Sequence, residues 1–228
     1  RTGFRRRSRR PSTVAVLYGS GLAKDHVYTE ADFTDEARGD ITPYIRSKTM
    51  AEKAAWNFVK TTPGAPELAA VNPGFVHGPA LDDDLSTSHE LFRLMSRGVY
   101  PAAPRIRFPV ADVRDVAVAH AEALMHPKAA GERFLVASEG QLGLFDLGQM
   151  MARELPDLKS KAPKFELPDV AVRAMALVDK RLRTILPELG LVKTYSSVKV
   201  RDALGVALRP ADEAVRCSIR SLRDLRLI

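Results

Sequence analysis

The sequence predicts an α/β fold, part of a parallel sheet joined to a smaller, mostly helical C-terminal lobe. Two observations carry this. The apolar runs "TVAVLY" (13–18) and "ELAAV" (67–71) flank a long helix-period stretch, the order of a strand–helix–strand crossover. The second half is mostly helix-period segments, with a single further strand run at 133–138.

Taken in order, residues 13–18 read as a buried strand ended by Gly19, Ser20 and Gly21. A loop follows through "KDHVYTEADFTDEARGD". Thr42 has the position of a helix N-cap and Pro43 that of the first helical residue, with the helix running to about residue 60. On that helix Tyr44, Lys48, Ala51, Ala55 and Phe58 share one face. "TTPGAP" breaks the chain, and the strand after it stops at Asn72-Pro73-Gly74. Beyond it, residues 88–97 and 113–126 read as helices and "RFLVAS" (133–138) as a strand. Further helices are expected over 144–154, 168–186 and 211–225, the last behind Pro210 and Asp212. No internal repeat is visible.

Composition narrows the function classes. Hydrophobic content of 45% and charged content of 28% are ordinary for a globular chain of 228 residues. No apolar run reaches about 18 residues, so no membrane span is expected. The one cysteine, Cys217, cannot form an internal disulfide and fits a reducing, cytoplasmic setting. The net charge of +7 is concentrated at one end: "RTGFRRRSRRP" (1–11) holds six arginines and no acid, leaving 29 basic against 28 acidic residues elsewhere. This segment is expected to be a disordered tail. It reads as a nucleic-acid arm, a targeting presequence or, most readily, a segment foreign to the fold. With the rest of the chain near neutrality, nucleic acid is not the expected partner.

The chemistry-bearing stretch is "PYIRSKTMAEKAAW" (43–56). Tyr44 and Lys48, four apart on a helix, are stacked one turn from each other. An ammonium beside a phenol favours phenolate, and such a tyrosine can protonate a carbonyl oxygen or deprotonate an alcohol. Alone, the spacing more often marks an exposed helix face than a catalytic pair. The five histidines show no metal-ligand spacing. His120 reads as a packing residue, and Met150 and Met151 as core filler.

Four segments in order give this spacing a context. "YIRSKTMAEKAAW" resembles the active-site helix of the extended short-chain dehydrogenase/reductases. "VNPGFVHGP" (71–79) resembles their Asn-Pro-x-x-Val-x-Gly-Pro strand end, and "FPVADVRDVAVAH" (108–120) their Asp-Val-Arg-Asp-Val-Ala segment. "SSVKVRDALGVALRP" (196–210) resembles their Ser-x-Lys-x-x-x-x-Leu-Gly segment. "KDHVYTEADFTD" and "GPALDDDLSTSHEL" resemble the dihydroflavonol 4-reductase-like branch of this epimerase/dehydratase-type family. The resemblance implies a Rossmann-like sheet, NAD or NADP as cofactor, and a small-molecule carbonyl or alcohol substrate. It implies Tyr44 as general acid/base and Lys48 as its tuning and ribose-binding partner. Thr13 would be the substrate-orienting hydroxyl, and Pro73, Gly74 and Val76 would line the nicotinamide end, with Tyr44 and Lys48 also touching the cofactor. Asp112, Arg114 and Asp115 would form a structural charge network.

One part of the pattern is missing. A dinucleotide site of this kind needs a Gly-rich turn after its first strand, so that backbone can approach the pyrophosphate. The 228 residues contain neither G-x-x-G-x-x-G nor G-x-G-x-x-G, and an Arg-rich run stands where an apolar strand is expected. The chain is therefore expected to lack the first strands of the sheet and to be a C-terminal part of a reductase. Its expected organisation is a tail at 1–11, the remainder of the Rossmann-like domain at 12–80, and a substrate lobe at 81–228 interleaved with further sheet elements. An uncovered sheet edge implies homo-oligomers or self-association. The alternative is a non-catalytic binding protein that keeps the fold without the reaction.

Overall fold

The computed structural model describes residues 7–11, 13, 25–39 and 41–228. It divides into two compact units, each drawing on separated stretches of chain. The first comprises residues 1–74, 114–137 and 193–208, and the second 75–113, 138–192 and 209–228. The first change of unit thus falls after Gly74, whereas a domain boundary was expected after residue 80.

The first unit is built on a parallel three-stranded sheet, ordered β1 (Arg7–Pro11), β3 (Glu67–Pro73), β8 (Arg133–Val136). A short parallel pair joins β2 (Val27–Tyr28) to β11 (Thr194–Tyr195). Strand β3 is buried from Leu68 to Pro73, as a parallel strand covered on both faces should be. Ala70, Val71, Phe134, Leu135 and Val136 are fully buried.

Strand β1 corrects two expectations. Arg7–Pro11, read as a disordered tail, pairs in parallel with Glu67–Val71. An Arg-rich run is not expected to form a central parallel strand, which is buried on both faces. Here it stands at one end of the three-stranded sheet, with no further strand paired on its other side among the described residues, a place where charged residues and proline are the usual occupants. The strand expected at 13–18 is not seen at Thr13, which lies outside any strand; residues 14–18 lie outside the described residues.

Helix α1 (Pro43–Thr61) follows its local signals. The Thr42 hydroxyl accepts from Ile45 N at 3.2 Å, and Pro43 opens the helix. Its buried stripe is Ile45, Thr49, Glu52 and Ala55; of the face shared by Tyr44, Lys48, Ala51, Ala55 and Phe58 only Ala55 is buried, with Tyr44 and Phe58 57% and 54% exposed. Helix α3 (Val113–Met125) lies almost wholly in this unit, with Asp115 buried. Helix α6 (Val198–Leu204) ends at Gly205, whose φ of +66° is the left-handed C-cap that favours glycine. The Ser197 hydroxyl before it accepts from Ala137 N at 3.0 Å and donates to Ala137 O at 2.9 Å, tying the helix to the end of β8.

The second unit contains the short pairs β4 (Phe75–His77) with β7 (Val110–Asp112), β5 (Ala103–Pro104) with β10 (Glu166–Leu167), and β6 (Arg107–Phe108) with β9 (Leu142–Gly143). Around them lie α2 (Thr87–Ser96), α4 (Leu144–Glu154), α5 (Asp169–Val178) and α7 (Ala211–Asp224). Phe92, Met95, Val110, Leu147, Met151, Ile219 and Leu222 are fully buried at its centre. The single helix expected over 168–186 ends at Val178. Beyond Asp179 the chain turns through short 3-10 segments, and the Arg183 guanidinium folds back to donate to Ala176 O and Leu177 O at 2.9 and 3.0 Å. The last-turn carbonyls are thereby satisfied from outside the helix.

Candidate functional site

The candidate site begins where the crossover ends. Helix α1 joins β3 through residues 62–66 and packs on it, so it runs antiparallel to the parallel strands. Its start therefore lies toward their C-terminal ends, where open α/β sheets bind ligands. The bond from Asn72 Nδ2 on β3 to Glu52 Oε2 on α1, 2.8 Å, fixes the register. Lys48 and Tyr44 precede Glu52 by one and two turns, about 6 and 12 Å along the axis.

Tyr44 and Lys48 are brought together. The Lys48 ammonium lies 5.8 Å from the Tyr44 ring centroid, and the Tyr44 side chain is exposed. Ser47 between them donates its hydroxyl to Tyr44 O at 2.8 Å, a local helix bond. Thr13 stands two residues beyond the end of β1, and Pro73, two beyond Val71, the register partner of Pro11, is the last residue of β3. Asn72 Nδ2 reaches the Thr13 carbonyl at 3.4 Å. Pro73 and Gly74 are buried, and Gly74 N donates to Val136 O at 2.9 Å. Val76 belongs to β4 in the second unit, where its carbonyl accepts from the Ser88 hydroxyl. It is thus not grouped with the others.

A set of buried groups underneath went unread in the sequence. Glu52 is 3% exposed, Arg133 7% and Asn72 0%. Arg133 Nε donates to Glu52 Oε1 at 2.6 Å, while its NH1 donates to Glu30 O and Asp32 O at 2.6 and 2.7 Å. The guanidinium also lies 3.7 Å from the Phe33 ring centroid. Glu30 Oε1 in turn accepts from Leu135 N at 2.8 Å. Burial pulls the Arg133 pKa down, and the Glu52 carboxylate opposes the shift. The only sequence signal was a carboxylate, Glu52, one turn before the aromatic Trp56 in an otherwise small-residue stretch.

Among the described residues, no group of His, Cys, Asp and Glu could hold a metal ion, and no helix is long and apolar enough to cross a membrane. For a nicotinamide dinucleotide the residues present fit one end. The Tyr44 phenol and the Lys48 ammonium, together at the exposed start of α1, suit a ribose hydroxyl. The pyrophosphate end has no Gly-rich turn anywhere in the 228 residues.

No protein-family model matches the chain. A ketoreductase of Aspergillus niger, azaE, is 32% identical over 210 residues, 87% of this chain and 57% of that protein. The NADPH-dependent methylglyoxal reductase GRE2 of Saccharomyces cerevisiae is 36% identical over 131 residues, 54% of this chain and 38% of that protein. The crystal structure of Gre2 from Candida albicans in complex with NADPH superposes with a TM-score of 0.74 at 26% identity, covering 96% of this chain and 64% of the other. The chain is homologous to the extended short-chain dehydrogenase/reductases. Its fold is that of this family's Rossmann-type reductases. The match spans 38–39% of the length of the yeast relatives. Within the family, GRE2 is named as NADPH-dependent, and Gre2 has been crystallised with NADPH.

Proposed function

We propose that this chain carries the proton-transfer end of an NADP(H)-dependent carbonyl reductase, acting on a small ketone or aldehyde, or on the alcohol in reverse. The observation that carries the reading is the Tyr44–Lys48 pair at the exposed start of α1, 5.8 Å from ammonium to ring centroid. The similarity to a ketoreductase over 87% of the chain supports it.

In this reading a bound nicotinamide supplies or accepts the hydride. The Tyr44 hydroxyl donates its proton to the carbonyl oxygen as charge develops there. The Lys48 ammonium stabilises the phenolate left behind and holds a ribose hydroxyl. The Thr13 hydroxyl, donor and acceptor at once, orients the carbonyl. Pro73 and Gly74 shape the nicotinamide end, with Val76 assigned by the family pattern. The proposed organisation keeps the catalytic helix with the sheet and the substrate lobe largely in the later chain.

A second reading is a binding protein that uses the same residues without turnover. The residues that fit the nicotinamide end alone should hold the cofactor no tighter than about millimolar, roughly 4 kcal/mol. Calorimetry with NADPH on the 228-residue chain and on Lys48→Ala tests the cofactor site, and turnover separates the two readings. Weak binding abolished by Lys48→Ala is expected. Binding that Lys48→Ala leaves unchanged would remove Lys48 from the cofactor site.

A further inference from the structure

Lys48 and Glu52 are four apart on α1, a spacing at which opposite charges ordinarily pair. They do not pair here. Among the described residues Lys48 makes no hydrogen bond and no ion pair, and its ammonium faces the Tyr44 ring. Both Glu52 oxygens are instead engaged inside the unit, Oε1 by Arg133 Nε at 2.6 Å and Oε2 by Asn72 Nδ2 at 2.8 Å. Arg133 is itself anchored from the far side by the carbonyls of Glu30 and Asp32 and by the face of Phe33. The carboxylate thus meets a fixed cation, and the mobile one nearby is left uncommitted.

We infer that Arg133 is a positioning residue: by neutralising Glu52 within the unit it leaves the Lys48 ammonium to Tyr44. The inference rests on the reading of Tyr44 and Lys48 as the proton-transfer pair. A buried carboxylate stripped of its partner must recruit another cation or take up a proton. Lys48, on a flexible four-carbon stem one turn away, is an uncommitted cation on the same helix, whereas Lys53, 5.7 Å from the Phe33 ring, is already paired with Glu36. Losing Arg133 therefore redirects Lys48 without touching either member of the pair.

Two readouts on the full chain test this. The first is the rate at which Lys48 is acetylated by limiting acetic anhydride, followed by peptide mass spectrometry. Arg133→Met should slow Lys48 acetylation several-fold, because an amine held in an ion pair is less nucleophilic. The double variant Glu52→Gln/Arg133→Met, with no buried charge to satisfy, should return to the wild-type rate. Arg133→Lys, which keeps the charge, should match wild type as well. An unchanged rate in Arg133→Met, or a slowed rate in either of the other two, overturns the inference. Should Arg133→Met fail to fold, Arg133→Gln takes its place, with the same slowing expected and an unchanged rate overturning the inference. The second readout is NADPH-dependent product formation, in which Arg133→Met should raise KM for NADPH and lower kcat while the double variant restores both. A loss of kcat that follows stability alone and is not restored marks Arg133 as merely structural and overturns the inference. The expected acetylation pattern with no turnover in any variant would overturn the reductase reading and leave the Arg133 assignment standing.

Discussion

Lowering the pH should destabilise the second unit through His77. The residue ends β4, is 1% exposed, and neither ring nitrogen has a hydrogen-bond partner among the described residues. Phe75 and Phe92 flank it, with ring centroids 4.9 and 5.6 Å away. Burial, reinforced by the nearby His89, pushes its pKa down to about 3 from the ordinary 6.5. Between those values the unfolded chain binds a proton that the folded chain refuses. Stability is therefore complete above pH 6.5 and falls as pH drops through the window from 6.5 to 3. The slope is about 1.4 kcal/mol per pH unit, so going from pH 7.5 to 5 costs about 2 kcal/mol from this residue. Urea unfolding at the two pH values, on wild type and on His77→Phe, measures it. The phenyl ring fills the same aromatic surroundings without a titrating group, so the variant should lose less on acidification by that amount. The same loss in both proteins would show that His77 is hydrated or paired in solution and that the argument from burial is wrong.

Two further perturbations probe the frame. Gly78 has φ of +133°, and a Cβ there would fall 2.6 Å from Val113 Cγ1, so Gly78→Ala should lower stability by about 2 kcal/mol or more in thermal unfolding. A loss below experimental error would mean that this turn relaxes freely. Thr42→Ala removes the hydroxyl that caps α1 and should cost about 1 kcal/mol, read by urea unfolding, whereas Thr42→Ser should cost much less.

What the sequence disclosed follows from how local each signal is. Thr42, Pro43 and the Tyr44–Lys48 spacing act within one helix, and they placed α1 to within a residue. "ELAAV" is buried on both faces and needs no partner to be recognised as a strand. Strand β1 was not legible, because an end strand is defined by the neighbour it pairs with and its arginines carry no apolar pattern. The Glu52–Arg133 pair was hidden for a different reason: its members are 81 residues apart, and nothing in either segment's periodicity points to the other. The end of α5 at Val178 depends on Arg183 folding back onto carbonyls, a tertiary choice that helix propensity cannot foresee. Whether Tyr44, Lys48 and Thr13 act together is chemistry that neither periodicity nor packing decides.

The central claim is proton transfer by Tyr44, and turnover tests it most directly. The measurement is chromatographic detection of alcohol formed from a panel of small ketones and aldehydes, with millimolar NADPH and the 228-residue chain, wild type against Tyr44→Phe. Removing an exposed hydroxyl from a folded helix should leave the melting temperature unchanged, so any loss belongs to the reaction. The account predicts NADPH-dependent product in the wild type and at least about a 10²-fold lower rate in Tyr44→Phe. Equal rates in the two proteins, or no product from the wild type at any NADPH concentration, would contradict it.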